Sequence, residues 1–145
     1  MSVGITGTRE GMTPLQLRGA IRLIAGLTAG TATIRYRPTR DHEYHHLIHG
    51  DCVGADAQAW AIADAAGWDT TALPSTTHER WHANTSSTEI EQRRPSLERN
   101  RLIVERCDLL IAFPKAVHDQ SGGTWYTINH AREAGKHLLI VWPDG

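Results

Sequence analysis

Apolar residues fall along this chain in short β-branched runs and in helical stripes, and the two kinds of segment alternate. Residues 3–6 read as a strand ended by Gly7, Thr8 and Arg9. Thr13, Pro14 and Gln16 then make a helix start, with Thr13 as the cap, Pro14 in the first turn and Gln16 completing a capping box. Leu17, Ile21, Ile24 and Leu27 recur at helical spacing until Gly30. A second strand rises through Leu47, Ile48 and His49 into Gly50, and the alanine-rich stretch 54–66 reads as a helix stopped by Gly67. A third strand covers 68–73, up to Pro74. Residues 97–106 are helical in pattern, 109–113 form a continuous apolar strand of the doubly buried kind, a helix runs from the 121–124 loop through Ala134, and 138–142 is the last strand. Strands alternating with helices predict an α/β fold: a Rossmann-like three-layer sandwich, its mostly parallel sheet of five or more strands covered by helices on both faces.

Two stretches break the alternation. In 31–46, Ile34 and Tyr36 alternate with Arg35, Arg37 and Arg40, as in an exposed edge strand closed by Pro38. Residues 75–96 are polar, hold few core candidates and are long for a plain connection. Both are expected to be insertions in a single domain spanning 1–145, the second a lid or a loosely ordered excursion.

Composition narrows the class. With 145 residues, 40% of them apolar, and a net charge of −1, the chain is an ordinary globular domain, large enough to bury about 70% of its unfolded surface. Disordered, fibrous and supercharged nucleic-acid-binding chains are excluded. The longest apolar runs, 109–113 and 138–142, are far short of the roughly 20 residues that cross a bilayer. The start of the chain has no basic region or long apolar stretch of a secretion signal. Cys52 and Cys107 alone make no disulfide framework, so a cytoplasmic location is expected, with no membrane partner.

Chemistry is expected at the carboxyl ends of the strands. Three strand-to-helix loops there are rich in glycine: 7–11, 49–56 and 121–124. Glycine lets backbone N–H groups approach a ligand, and a helix N-terminus behind such a loop offers unpaired donors to an anion. One such loop is no more than a turn. Three on one sheet edge point to a cleft for phosphate or ribose.

The segments GITGTREG, HGDCVGADAQAWAIADAAGW, ERNRLIVERCDLLIAFP and SGGTWYTINHAREAGK, in this order, resemble the SLOG superfamily of Rossmann-like domains. That superfamily takes in the Smf/DprA proteins, the LOG cytokinin-activating hydrolases and the small YspA/YpsA-like proteins, and the likeness is closest to the last group. It implies that a nucleotide or nucleotide-derived molecule binds across the strand ends. Carried over position by position, the resemblance places Gly7, Thr8 and Arg9 in the first loop of the site and Gly50, Asp51, Gly54 and Asp56 in the second. Arg99 and Asn100 match the family's pair before a core strand, and Ser121, Gly122, Gly123 and Thr124 its glycine-rich phosphate loop. Trp125, directly after that loop, is a candidate to stack on a base. Arg9 and Arg99 can fork onto phosphate oxygens, and Asp56 can accept from ribose hydroxyls.

The LOG hydrolases carry a glutamate three residues after the loop's threonine, where this chain has Thr127. Glu133 is too far round the helix to replace it. Asp51, Asp56 or Glu10 would have to supply the carboxylate if the protein were an enzyme. The expected role is therefore to sense or sequester a ligand, as a homodimer or higher homo-oligomer, without cofactor or metal. The alternatives are a nucleoside-monophosphate phosphoribohydrolase resembling LOG and a single-stranded nucleic-acid module resembling DprA, the latter disfavoured by the net charge.

Other motifs carry less. His78-Glu79-Arg80-Trp81-His82 matches the zinc-protease pattern H-E-x-x-H, but turn formers flank it and no apolar stripe supports a helix. His42, His45, His46 and His49 alternate faces if 45–49 is strand, so they make an awkward single metal site. Trp60, Trp68 and Trp142 read as core.

Overall fold

The computed structural model describes residues 1–30 and 45–144; the edge strand expected within 31–46 lies mostly outside them. Six strands, β1 (Ser2–Gly7), β2 (His46–His49), β3 (Asp69–Ala72), β4 (Glu89–Ile90), β5 (Leu109–Phe113) and β6 (His137–Ile140), form one sheet in the order β4-β3-β2-β1-β5-β6. Every pairing is parallel. Four helices connect them: α1 (Pro14–Ala29), α2 (Ala55–Ala65), α3 (Ser96–Arg106) and α4 (Gly123–Glu133). The expected α/β Rossmann-like sandwich is the fold of the chain.

Period-2 alternation on a doubly covered sheet explains the two cores. Val3, Ile5, Leu47, Leu109, Ile111 and Phe113 point to one face, where Ala20, Ile24 and Leu27 of α1 and Ala55, Ala59 and Ala63 of α2 meet them. The intervening Ile48, Leu110 and Ala112 point to the other, against Ile103 and Val104 of α3 and Trp125, Ile128 and Ala131 of α4. Small alanines on α2 let that helix lie close to the strands.

From β1 the sheet grows outward to β4, and the chain then returns to lay β5 on the opposite side of β1. The strand order therefore reverses at the β1–β5 boundary, the place where ligand crevices form in open parallel sheets. One half of the same rim is closed by the start of α1. Thr13 and Gln16 form the capping box, and the fully buried Gln16 amide donates to the carbonyls of Pro114 at 2.8 Å and Val141 at 2.9 Å, beyond the ends of β5 and β6.

The 75–96 stretch contains two elements that its polarity hid: the single 3-10 turn Glu79–Trp81 and the two-residue strand β4, whose Glu89 and Ile90 are both exposed. It is tied to the body by backbone bonds from Val53 N–H to Trp81 O (2.9 Å), Ala83 N–H to Asp51 O (2.8 Å) and Glu91 N–H to Ala72 O (3.0 Å). No helix among the described residues is long and apolar enough to cross a membrane.

Candidate functional site

A cavity of about 460 Å³ opens at the carboxyl ends of β1 and β2, between the first turns of α3 and α4. That volume suits a small-molecule ligand. Of the residues singled out from the sequence, Gly7, Thr8, Arg9, Gly50, Asp56, Arg99, Asn100, Gly123 and Thr124 line it. Asp51, Gly54, Ser121, Gly122 and Trp125 do not.

Four of those five have a visible occupation, and Gly122 is exposed. Asp51, at positive φ, accepts from the N–H and hydroxyl of Thr85 through Oδ1 at 3.0 and 2.8 Å, which latches the second loop to the 75–96 excursion. Gly54 lets the first loop pass over it: a Cβ there would stand 2.5 Å from the carbonyl oxygens of Thr8 and Arg9. Ser121 and Gly122 are exposed, and Ser121 bonds Asp119. Trp125 is only 2% exposed, packs against Trp142 and belongs to the core under α4, so it is in no position to stack on a ligand in the cavity. Its helical position after the loop put it on the inward face, a point that nearness in sequence did not reveal.

The floor of the cavity is a buried polar knot. Asp56, 5% exposed, accepts through Oδ2 from Gly50 N–H (2.9 Å) and Cys52 N–H (3.3 Å). Burial pushes its carboxyl up to about 6, against the opposing pull of Arg99 and the two amides. Arg99, also 5% exposed, spends Nη1 on the carbonyls of Gly50 (2.6 Å) and Leu73 (3.0 Å), and Nε on Asn100 Oδ1 (2.7 Å). Only Nη2, 3.7 Å from Cys52 Sγ, is left on the cavity side. The two-pronged phosphate fork expected of Arg99 is thus not available in this arrangement, since the guanidinium pins the ends of β2 and β3 together. Behind the knot His49, fully buried, accepts from Asp51 N–H at Nδ1 and meets Ser87 Oγ at Nε2. Burial lowers its imidazole to about 4, so it is neutral.

The remaining walls are open. Arg9 is exposed at the mouth, and its guanidinium lies over the Trp81 ring, 4.9 Å from the centroid. On the far side α4 starts without a side-chain cap, so its first N–H groups have no side-chain partner there. Asn100 Nδ2 lies 3.8 Å from where a Cβ on Gly123 would stand, adding a donor beside that helix start. Two carboxylates line the cavity. One is Asp56, and the other is Glu10, which is ion-paired with Lys115 at 2.7 Å.

Residues outside the sequence-derived binding set also line it, among them Cys52, Trp81, Ser96 and Leu97. A tryptophan set among turn formers, with no apolar stripe to pack into, was the available signal for Trp81. The H-E-x-x-H match around it forms no helical face: His78 N-caps the 3-10 turn, Glu79 pairs with Arg93, and His82 Nε2 meets Thr77 O at 3.0 Å. No cluster of three or more potential metal ligands occurs among the described residues.

No family model matches the sequence, and no curated protein does. Solved structures share the fold. A molybdenum cofactor binding protein from Rippkaea orientalis superposes with a TM-score of 0.68 at 20% identity, over 96% of this chain and 74% of that one. DprA from Streptococcus pneumoniae gives 0.66 at 17% identity over 96% of this chain, which spans only 49% of DprA's length. The molybdenum cofactor carrier protein of Chlamydomonas reinhardtii gives 0.64 at 16% identity, over 96% and 74%. The chain thus has the Rossmann-like fold that these proteins share.

Proposed function

We infer that the cavity holds a phosphorylated nucleotide or nucleotide-derived small molecule, and that the protein binds this ligand without turning it over. The observation that carries the reading is the wealth of donors on one cavity at the β1–β5 reversal: the uncapped start of α4, Asn100 Nδ2 and the exposed Arg9. A helix start with free N–H groups beside a guanidinium is a favourable place for phosphate. Turnover is disfavoured by the carboxylates. Cleaving an N-glycosidic bond needs a base or an electrostatic stabiliser at the anomeric carbon. Asp56 Oδ2 is held by its own loop, Glu10 is paired outward, and Thr127 is buried with its hydroxyl donating to Gly123 O at 2.8 Å. Such a protein would sense or sequester its ligand.

The test is calorimetric titration with AMP, GMP and inorganic phosphate, with chromatography of the same mixtures for free base. Two of the structural neighbours are named for the molybdenum cofactor, so that cofactor belongs in the same panel. Saturable binding without base release is expected, weakened about tenfold by Arg9→Ala. Failure of every member of the panel to bind overturns the reading, and steady base release replaces binding with hydrolysis. The likeness to DprA motivates one competing outcome, tight binding of a short oligonucleotide that falls steeply with salt. The net charge of −1 argues against it.

A further inference from the structure

We propose that Trp81, backed by Arg9, is the wall that recognises a planar nitrogen heterocycle, so that the ligand is the phosphate ester of a ring-bearing nucleoside and not a sugar phosphate. This rests on the proposed phosphate site and assigns the Trp81 wall of the same cavity. Trp81 is half-buried and lines the cavity from a segment that contributes little else to it. Two guanidiniums lie over its ring, Arg9 at 4.9 Å and Arg80 at 4.8 Å from the centroid, and of these two only Arg9 lines the cavity. Neither arginine has a carboxylate within ion-pair distance among the described residues.

The backbone holds Trp81 in place for the task. Its carbonyl accepts from Val53 N–H, its N–H donates to His78 O, and the next residue, His82, pairs antiparallel with Cys52. The Trp81 backbone is thereby fixed to the second glycine loop. A tryptophan–guanidinium pair offers flat, polarisable surface on which a heterocycle stacks in offset fashion, and a ribose ring cannot use it in that way. The core tryptophan after the third loop does not reach the cavity, which leaves Trp81 as the indole among its lining residues.

The experiment compares AMP with ribose 5-phosphate by calorimetry on the wild-type protein and on Trp81→Leu, Trp81→Phe and Arg80→Ala. Wild-type protein is expected to prefer AMP at least tenfold. Trp81→Leu abolishes most of that preference by weakening AMP about tenfold while ribose 5-phosphate is unchanged. Trp81→Phe keeps AMP within about threefold, and Arg80→Ala keeps both ligands within about twofold. Equal affinity of wild-type protein for the two probes overturns the inference and leaves the phosphate site standing, whether or not Trp81→Leu folds. Equal loss of both probes in a folded Trp81→Leu overturns it too, because the indole then only props the loop. Binding of neither probe by wild-type protein overturns the inference together with the reading beneath it.

Discussion

Gly54 and Gly122 each stand one residue before a helix on the same rim, each at positive φ (87° and 91°), and neither helix has a side-chain cap. Around Gly54 three neighbouring groups are engaged inside the protein: Ala55 N–H on Thr8 O, the Asp56 carboxylate on two loop amides, and Asp51 on Thr85. Around Gly122 the loop is exposed, and nothing lies within 4 Å of the place a Cβ would take. Two turns of the same conformational type therefore do different work. The second loop is the rigid floor of the cavity, and the third offers donors to whatever enters it.

The contrast can be broken most severely at Gly54. Alanine there meets both the positive-φ strain and two carbonyl oxygens at 2.5 Å, so a loss of about 4 kcal/mol in urea unfolding is expected. A loss below about 1 kcal/mol would show that the loops are equally adaptable.

Next in size is pH. Asp56 is pushed up to about 6, so the folded state keeps a proton that the unfolded chain loses near 3.8. Its contribution to stability is complete below about pH 4 and is lost as pH rises through 6. His49 is pushed down to about 4, so the folded state refuses a proton that the unfolded chain takes up near 6.5, and stability on its account rises with pH across that interval. The two slopes oppose each other and wild-type stability stays nearly flat. Asp56→Asn removes one of them, and stability is expected to climb by about 3 kcal/mol between pH 4 and 6.5. A flat profile for that variant means the buried knot does not titrate as described.

Gly122→Ala carries strain without collision and is expected to cost about 2 kcal/mol, half the effect at Gly54. The smallest change in stability, within about 0.5 kcal/mol, is expected for Thr124→Glu, which adds a charge that a helix start tolerates well. Its affinity for AMP, however, should fall at least about tenfold, because the new carboxylate competes for the same donors. Undiminished affinity would place the phosphate elsewhere.

Much of the sheet was legible in the chain, because β1, β2 and β5 are short, largely apolar runs closed by glycine or proline and α1, α2 and α4 are stopped by Gly30, Gly67 and Gly135. Strand β4 was not: two exposed residues, Glu89 and Ile90, leave no periodic trace. The three loops could be placed on one rim because their order in an alternating fold demands it. What each side chain does there was harder to read. Arg99 looks like one more solvated charge among Glu98, Arg101 and Glu105, yet it is buried, since three protein acceptors bond its guanidinium. Trp81 was hidden for the opposite reason, in a segment whose polarity marked it as peripheral while its backbone pairs with the second loop.

The Gln16 amide has a consequence for the size of what this protein can accommodate. By occupying carbonyls beyond β5 and β6 it shuts that half of the crest, and none of the residues bordering the hollow comes from those strand ends. A guest that outgrows the hollow therefore meets a closed rim over β6.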